Sequence, residues 1–304
     1  MTSISALRLK ANGMAPAYCS CCGPVGSVGE RRALMCTPAS TSSRTPSLPL
    51  LLDAVVASAN RCLILGVRYK PYWIMSDLAA LSGLGFALAF SSHLWQVSAF
   101  GLCAGILGAL LSHKVALEIK AAVGAVAARS FLQDCLLIII PIFIAINIAW
   151  DQPLNLTIAF LGLLLPLYGG IVRIGCFLGG CCYGEPSQYG VLYPKSIFTL
   201  ECNGWRRYSP SPDPRQRVFP IQLVESGAQL SLFAVLTFLL WERPQADRYI
   251  FPLYLMLYAI TRLGLDFYRV TSARPRYGRF SEAQLVCVCV LAAACLYLAY
   301  ILMN

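Results

Sequence analysis

Residues 171–186 read Ile-Val-Arg-Ile-Gly-Cys-Phe-Leu-Gly-Gly-Cys-Cys-Tyr-Gly-Glu-Pro. Arg173 closes an apolar run that begins near Leu154. A basic group there is costly unless it meets water, a carboxylate or a lipid phosphate. Gly175, Gly179, Gly180 and Gly184 let a backbone or a ligand come close. Cys176, Cys181 and Cys182 share the same turns. The stretch therefore reads as a small-residue cradle with one fixed positive charge. A cysteine beside Arg173 can also act as a nucleophile, because a neighbouring cation favours the thiolate. Close helix packing, with Arg173 snorkelling to the interface, is the plainer reading of the same residues. The C-x4-C-C spacing matches no standard metal motif, so neither a metal nor a cofactor is expected.

Three later stretches carry related chemistry. Residues 220–225 read Pro-Ile-Gln-Leu-Val-Glu and open an apolar span. Residues 262–269 give R-x-x-x-D-x-x-R. On a helix, Arg262, Asp266 and Arg269 fall at i, i+4 and i+7, on one face. Residues 281–285, Ser-Glu-Ala-Gln-Leu, open the last span.

The elements that position these residues are membrane helices. The chain has 304 residues, 58% hydrophobic and 12% charged, with mean hydropathy +0.65. A soluble domain is about 25% charged. Spans of about 20 apolar residues are expected at 72–91, 94–112, 133–150, 154–172, 221–241, 249–267 and 283–303. The fold class is thus all-α, a polytopic membrane protein with about seven transmembrane helices and a small cap. Asp77 and Arg262 are the ionisable residues well inside spans, although Asp77 is only about a turn and a half from one end. The membrane domain is 49–304, with a cap insertion at 184–219 and a partly re-entrant segment within 173–219. Residues 49–66 are apolar but broken by Asp53, Asn60 and Arg61, as in an interfacial or partly inserted helix. Residues 1–48, rich in Ser, Thr, Pro, Gly and Arg, read as a disordered basic tail or leader. The Cys19, Cys21 and Cys22 run within it has no partner cluster. The other cysteines in apolar segments, such as Cys103, Cys287 and Cys295, read as small core residues.

In this order, the four stretches resemble the prolipoprotein diacylglyceryl transferase family over roughly residues 154–303. The family signature G-R-x-G-N-F-x-N-x-E-x-x-G aligns without a gap on Val172 to Gly184, where Arg173, Gly175, Phe177 and Gly184 match. Pro220, Gln222, Leu223 and Glu225 match its P-T-Q-L-Y-E. Arg262, Asp266 and Arg269 match its R-x-x-x-E-x-x-R, with Asp for Glu. Cys176 and Gly179 replace the signature's asparagines, and Cys181 replaces its glutamate. The family's His-Gly-Gly has its nearest counterpart in Cys103-Ala104-Gly105. The resemblance implies transfer of a diacylglyceryl group from phosphatidylglycerol, or a similar anionic phospholipid, to the thiol of a lipobox protein in the bacterial plasma membrane. It implies Arg173, Arg262 and Asp266 as catalytic residues. Gly175, Cys176, Gly184, Gln222, Glu225 and Arg269 are implied to bind substrate.

Two other readings stand beside it: a cysteine-based membrane thiol or acyl-transfer enzyme, and a non-catalytic phospholipid-binding scaffold. Nucleic acid is not an expected partner, because excess positive charge in a polytopic protein marks loops. For seven spans, 21 of the 24 Lys and Arg residues fall at one side, which the positive-inside rule makes cytoplasmic. That puts the Arg173 cradle near the cytoplasmic face and the carboxyl terminus outside. The resemblance implies the reverse orientation; the charge count is the reading adopted for this chain.

Overall fold

The computed structural model describes residues 47–304 apart from 61–62, 65–66, 69–70, 94–95, 123–134, 194–214, 270–275, 279 and 304. Nearly all of the amino-terminal tail, including Cys19, Cys21 and Cys22, and the middle of the cap lie outside the described residues. The described helices are α1 (Leu48–Ala59), α2 (Pro71–His93), α3 (Ala99–Ala122), α4 (Ile140–Ala149), α5 (Leu154–Leu178), α6 (Ile221–Glu242), α7 (Asp247–Asp266) and α8 (Glu282–Met303). A π-helical turn, Cys135–Ile139, leads into α4. Among the described residues, strand is limited to the extended segment Pro186–Val191 and two-residue ladders.

Five of these helices, α2, α3, α5, α6 and α8, are long and apolar enough to cross a membrane. The other two expected spans are also helical. One is the shorter segment ending in α4, and the other is α7, which carries Asp247, Arg248, Arg262 and Asp266. The chain is an all-α, multi-pass membrane protein. Its outer surface is apolar: Leu81, Phe238 and Leu296 are each more than 60% exposed, which lipid rather than water accommodates.

The central helix is α5, which packs against α2, α6 and α7. Over half of its most apolar stretch is buried, 56% against 17–28% for the other four long helices. A buried run from Leu156 to Leu164 meets Phe90, Phe143, Leu236 and Ile250 in the main core. Gly162 permits a close crossing. A Cβ there would lie 2.8 Å from the Phe251 Cα, so α5 and α7 touch backbone to backbone.

α6 is built the other way round from a soluble amphipathic helix. Its inward face carries Gln222, Glu225, Ser226 and Gln229, all buried, while Val235 and Phe238 face outward. In hydrocarbon the polar face must turn toward protein partners. Ser226 Oγ, for example, donates to the Gly170 carbonyl at 2.7 Å.

α5 continues to Leu178, six residues past the expected end at 172, so Arg173 lies inside the helix. Of the segment 173–219, residues 173–178 complete α5 and 179–193 form a turn followed by strand. A hydropathy window stops at a charge, whereas a helix stops at its cap. Here Gly180 takes φ +69°, and the Cys181 and Gly180 N–H groups reach back to the Cys176 and Phe177 carbonyls at 3.1 and 3.3 Å. That is a Schellman-type ending, with glycine in the left-handed position.

The described ends of the cap pack on the bundle. Val56, Phe177, Tyr183, Val191, Tyr193 and Val218 form a second apolar cluster beneath them. α1 docks against the strand, leaving Leu48, Leu50 and Leu51 exposed. Arg217 Nη2 pairs with Asp53 Oδ2 at 2.7 Å, and Asp53 Oδ1 accepts the Leu192 N–H at 2.8 Å. Both ionic side chains are more than a fifth exposed, so the pair itself contributes at most about 1 kcal/mol. Asp53→Ala is therefore expected to act locally. Hydrogen–deuterium exchange at Leu192 should speed up while global melting barely moves; unchanged exchange at Leu192 would show that Asp53 does not hold the cap.

Candidate functional site

One end of the bundle gathers the chemistry. There the start of α2 meets the end of α5, where a Cβ on Gly175 would lie 2.9 Å from the Met75 Cβ. Gln222, in the first turn of α6, donates from Nε2 to the Cys181 carbonyl at 2.7 Å. Gly184 bridges to Arg269 just beyond α7, and Ser281 at the start of α8 reaches Asp266.

Glu225 is the centre of this end. Its carboxylate is 2% exposed and faces three guanidinium groups. Arg173 Nε is 3.0 Å from Oε2, Arg269 Nη2 hydrogen-bonds Oε2, and Arg262 Nη1 is 3.9 Å from Oε1. Arg262 and Arg269 are buried, and the Arg173 side chain is 20% exposed. A buried unpaired charge is costly, and a shared carboxylate offsets part of that cost for each arginine. Asp266 Oδ1 is 4.0 Å from Arg262 Nη2. Counting Arg173, Arg262 and Arg269 against Glu225 and Asp266, the ionised cluster keeps one net positive charge. Arg262 Nη1 is buried and makes no hydrogen bond within the described protein. The seam beside it between α6 and α7, lined by Glu225, Gln229, Tyr258, Thr261, Arg262 and Leu265 among others, is packed too tightly to hold a water molecule.

Arg262, Asp266 and Arg269 do not share one helical face as their spacing predicts. α7 ends at Asp266, and Arg269 lies past it, paired with Gly184. Arg269 nonetheless reaches Glu225, because that bridge returns the chain to the α5–α6 junction. Gly175 and Gly184 have a packing explanation: Gly175 accommodates α2, and a Cβ on Gly184 would lie 2.8 Å from the Tyr268 carbonyl oxygen. Cys176 is buried in the last turn of α5. The Cys103–Gly105 stretch lies in α3, where Gly105 packs on Phe143 and Asn147 of α4. His93 stacks on Trp241, at the ends of α2 and α6 away from the cluster.

The Ser-Glu-Ala-Gln stretch acquires a definite role. Ser281 Oγ accepts the Gln284 N–H at 3.1 Å, and Gln284 Oε1 accepts the Ser281 N–H at 2.9 Å. This reciprocal pair is a capping box. The same Ser281 hydroxyl donates to Asp266 Oδ2 at 2.6 Å, tying the cap of α8 to the carboxylate beside Arg262. Ser281→Ala is expected to cost about 1 kcal/mol through the cap and to loosen Asp266, whereas Ser281→Thr should restore most of the stability. Thermal unfolding of the two variants makes the comparison, and equal loss in both would exclude the hydroxyl as the cause. Gln229 is the lining residue that motif reading passed over. Its signal was its i+7 spacing from Gln222 through Glu225 and Ser226, a polar stripe in an apolar span.

Fold and site together define a multi-pass helical membrane protein with a buried arginine–carboxylate centre at one end of its bundle. The chain belongs to the prolipoprotein diacylglyceryl transferase family, whose profile matches residues 72–300. It is 32% identical over 127 residues to the phosphatidylglycerol–prolipoprotein diacylglyceryl transferase of Clostridium tetani (strain Massachusetts / E88), covering 40% of this chain and 43% of that protein. It is 29% identical over 131 residues to phosphatidylglycerol–prolipoprotein diacylglyceryl transferase 2 of Clostridium perfringens (strain 13 / Type A), covering 42% and 44%. A similarly named protein of Dehalococcoides mccartyi (strain ATCC BAA-2266 / KCTC 15142 / 195) is 37% identical over 100 residues, covering 33% of this chain and 34% of that protein. The matched stretch thus spans less than half the length of each of these relatives.

Proposed function

We propose that this protein transfers the diacylglyceryl group of phosphatidylglycerol, or of a similar anionic phospholipid, to a cysteine thiol of a lipobox protein in the bacterial plasma membrane. The observation that carries this reading is the gathering of Arg173, Arg262 and Arg269 around Glu225 at one end of the bundle. Arginine suits a phosphate ester because its fork is bidentate and it stays charged. The net positive charge favours the lipid phosphate on binding and the glycerol phosphate as it leaves. Arg262, whose Nη1 has an unfilled donor, is the phosphate clamp in this reading, and Asp266 holds its guanidinium in place. Glu225 keeps the three cations together. Gln222 positions the Cys181 turn beside them.

The test is release of glycerol phosphate from headgroup-labelled phosphatidylglycerol by the purified chain. Release that depends on a cysteine-containing lipobox peptide, with a thioether on that cysteine, supports the transferase. Peptide-independent release with a thioester on the protein points to a thiol enzyme instead. No release in either case leaves a lipid-binding scaffold. For orientation, a reporter enzyme fused after Asn304 is expected to read as exported; a cytoplasmic reading reverses the topology.

A further inference from the structure

Cys176, Cys181 and Cys182 stand where the matched family signature carries Asn, Glu and a variable residue, and the structure brings their sulfurs together. All three Sγ atoms lie within 4.8 Å of one another. Among the described residues this is the one group of three ligand-type side chains that converges in this way. The helix ending explains why. The Schellman turn returns Cys181 to Cys176, its N–H on the Cys176 carbonyl at 3.1 Å. Cys182 then takes φ +57°, a left-handed backbone that non-glycine residues rarely adopt. Gln222 Nε2 fastens the turn through the Cys181 carbonyl. The triad is held from α5, one turn after Arg173, and from α6, one turn before Glu225.

We propose that these three thiols bind a zinc ion, leaving its fourth position open to the thiol of the acceptor protein. Zinc–thiolate bonds of about 2.3 Å in a tetrahedron place sulfurs about 3.8 Å apart, so a closure of about 1 Å or less assembles the site. Three protein ligands with an open position are the pattern of catalytic rather than structural zinc.

The role of the open position rests on the transferase reading above. A thiol that coordinates the ion gives up its proton to solvent. Its sulfur then attacks the glyceryl carbon, the carbon–oxygen bond to phosphate breaks, and glycerol phosphate leaves with the electron pair.

The experiment titrates the full chain, reduced and in detergent, with cobalt as the spectroscopic probe and zinc as competitor. One cobalt per chain is expected, with sulfur-to-cobalt charge-transfer bands that zinc abolishes. Cys176→Ser, Cys181→Ser and Cys182→Ser should each lose or weaken the bands, whereas serines at Cys19, Cys21 and Cys22, or at Cys289, should leave them intact. A second readout needs no variant: zinc should protect Cys176, Cys181 and Cys182, but not Cys289, from alkylation. Bands that persist without the triad, bands that follow the amino-terminal cysteines, or no protection overturn the site. A cysteine lipobox peptide should shift the bands and its serine analogue should not; no shift overturns the open position. Transfer that survives zinc removal by a chelator also refutes that role while leaving the transferase reading standing. Zinc bound without transfer leaves the three-thiol site standing and removes the transferase reading, and the role of the open position with it.

Discussion

Glu225→Ala is expected to lower the stability of the protein by about 3–5 kcal/mol, the usual cost of removing one partner from a buried ionic group. Three arginines share that carboxylate, two of them buried. Without it they repel one another where little water can screen them. The loss is a large part of the roughly 5–15 kcal/mol by which a folded protein is stable. Glu225→Gln should do less harm, because the amide oxygen still accepts from one guanidinium. Removing a cation as well separates repulsion from lost packing: Glu225→Ala combined with Arg269→Met should regain part of the stability. Thermal unfolding in one detergent compares the series. A melting temperature unchanged by Glu225→Ala would mean that the arginines are not held by this carboxylate.

How much of this was legible beforehand depends on how far apart the partners lie in sequence. The Arg262–Asp266 spacing is local, and the structure keeps it within 4.0 Å. The polar stripe of α6 was legible for the same reason, since Gln222, Glu225 and Gln229 recur at the helical period. That Glu225 would meet Arg173, Arg262 and Arg269 was not legible, because those contacts join three helix ends through packing and no local pattern encodes them. The end of α5 was misplaced because Arg173 was read as the close of an apolar run. Paired with Glu225, that charge is tolerated inside the helix, and the glycines at 179 and 180 set the end instead. The convergence of the cysteines was hidden too. Their spacing fits no metal motif, and only the left-handed geometry at Gly180 and Cys182 folds the three sulfurs onto one point.

Arg262→Lys should reduce kcat/KM for diacylglyceryl transfer by roughly 10²–10³-fold, the loss that follows removal of one well-placed donor to developing charge. Lysine keeps the positive charge opposite Glu225 and Asp266, so melting should change little. It loses the planar fork that can hold two phosphate oxygens at once while its other nitrogen stays near Asp266. A contact that strengthens only as the phosphate leaves lowers kcat and kcat/KM together, whereas one that merely binds the lipid raises KM alone. The first outcome is the one expected of Arg262, whose Nη1 is buried with an unfilled donor. The measurement is steady-state transfer from labelled phosphatidylglycerol to a cysteine lipobox peptide, with Arg173→Lys alongside. Arg173 is partly exposed and its Nε is engaged with Glu225 at 3.0 Å, so its substitution should weaken turnover less. An Arg262→Lys enzyme within about threefold of the unsubstituted chain in kcat/KM would remove Arg262 from the reaction and leave the cluster a purely structural role.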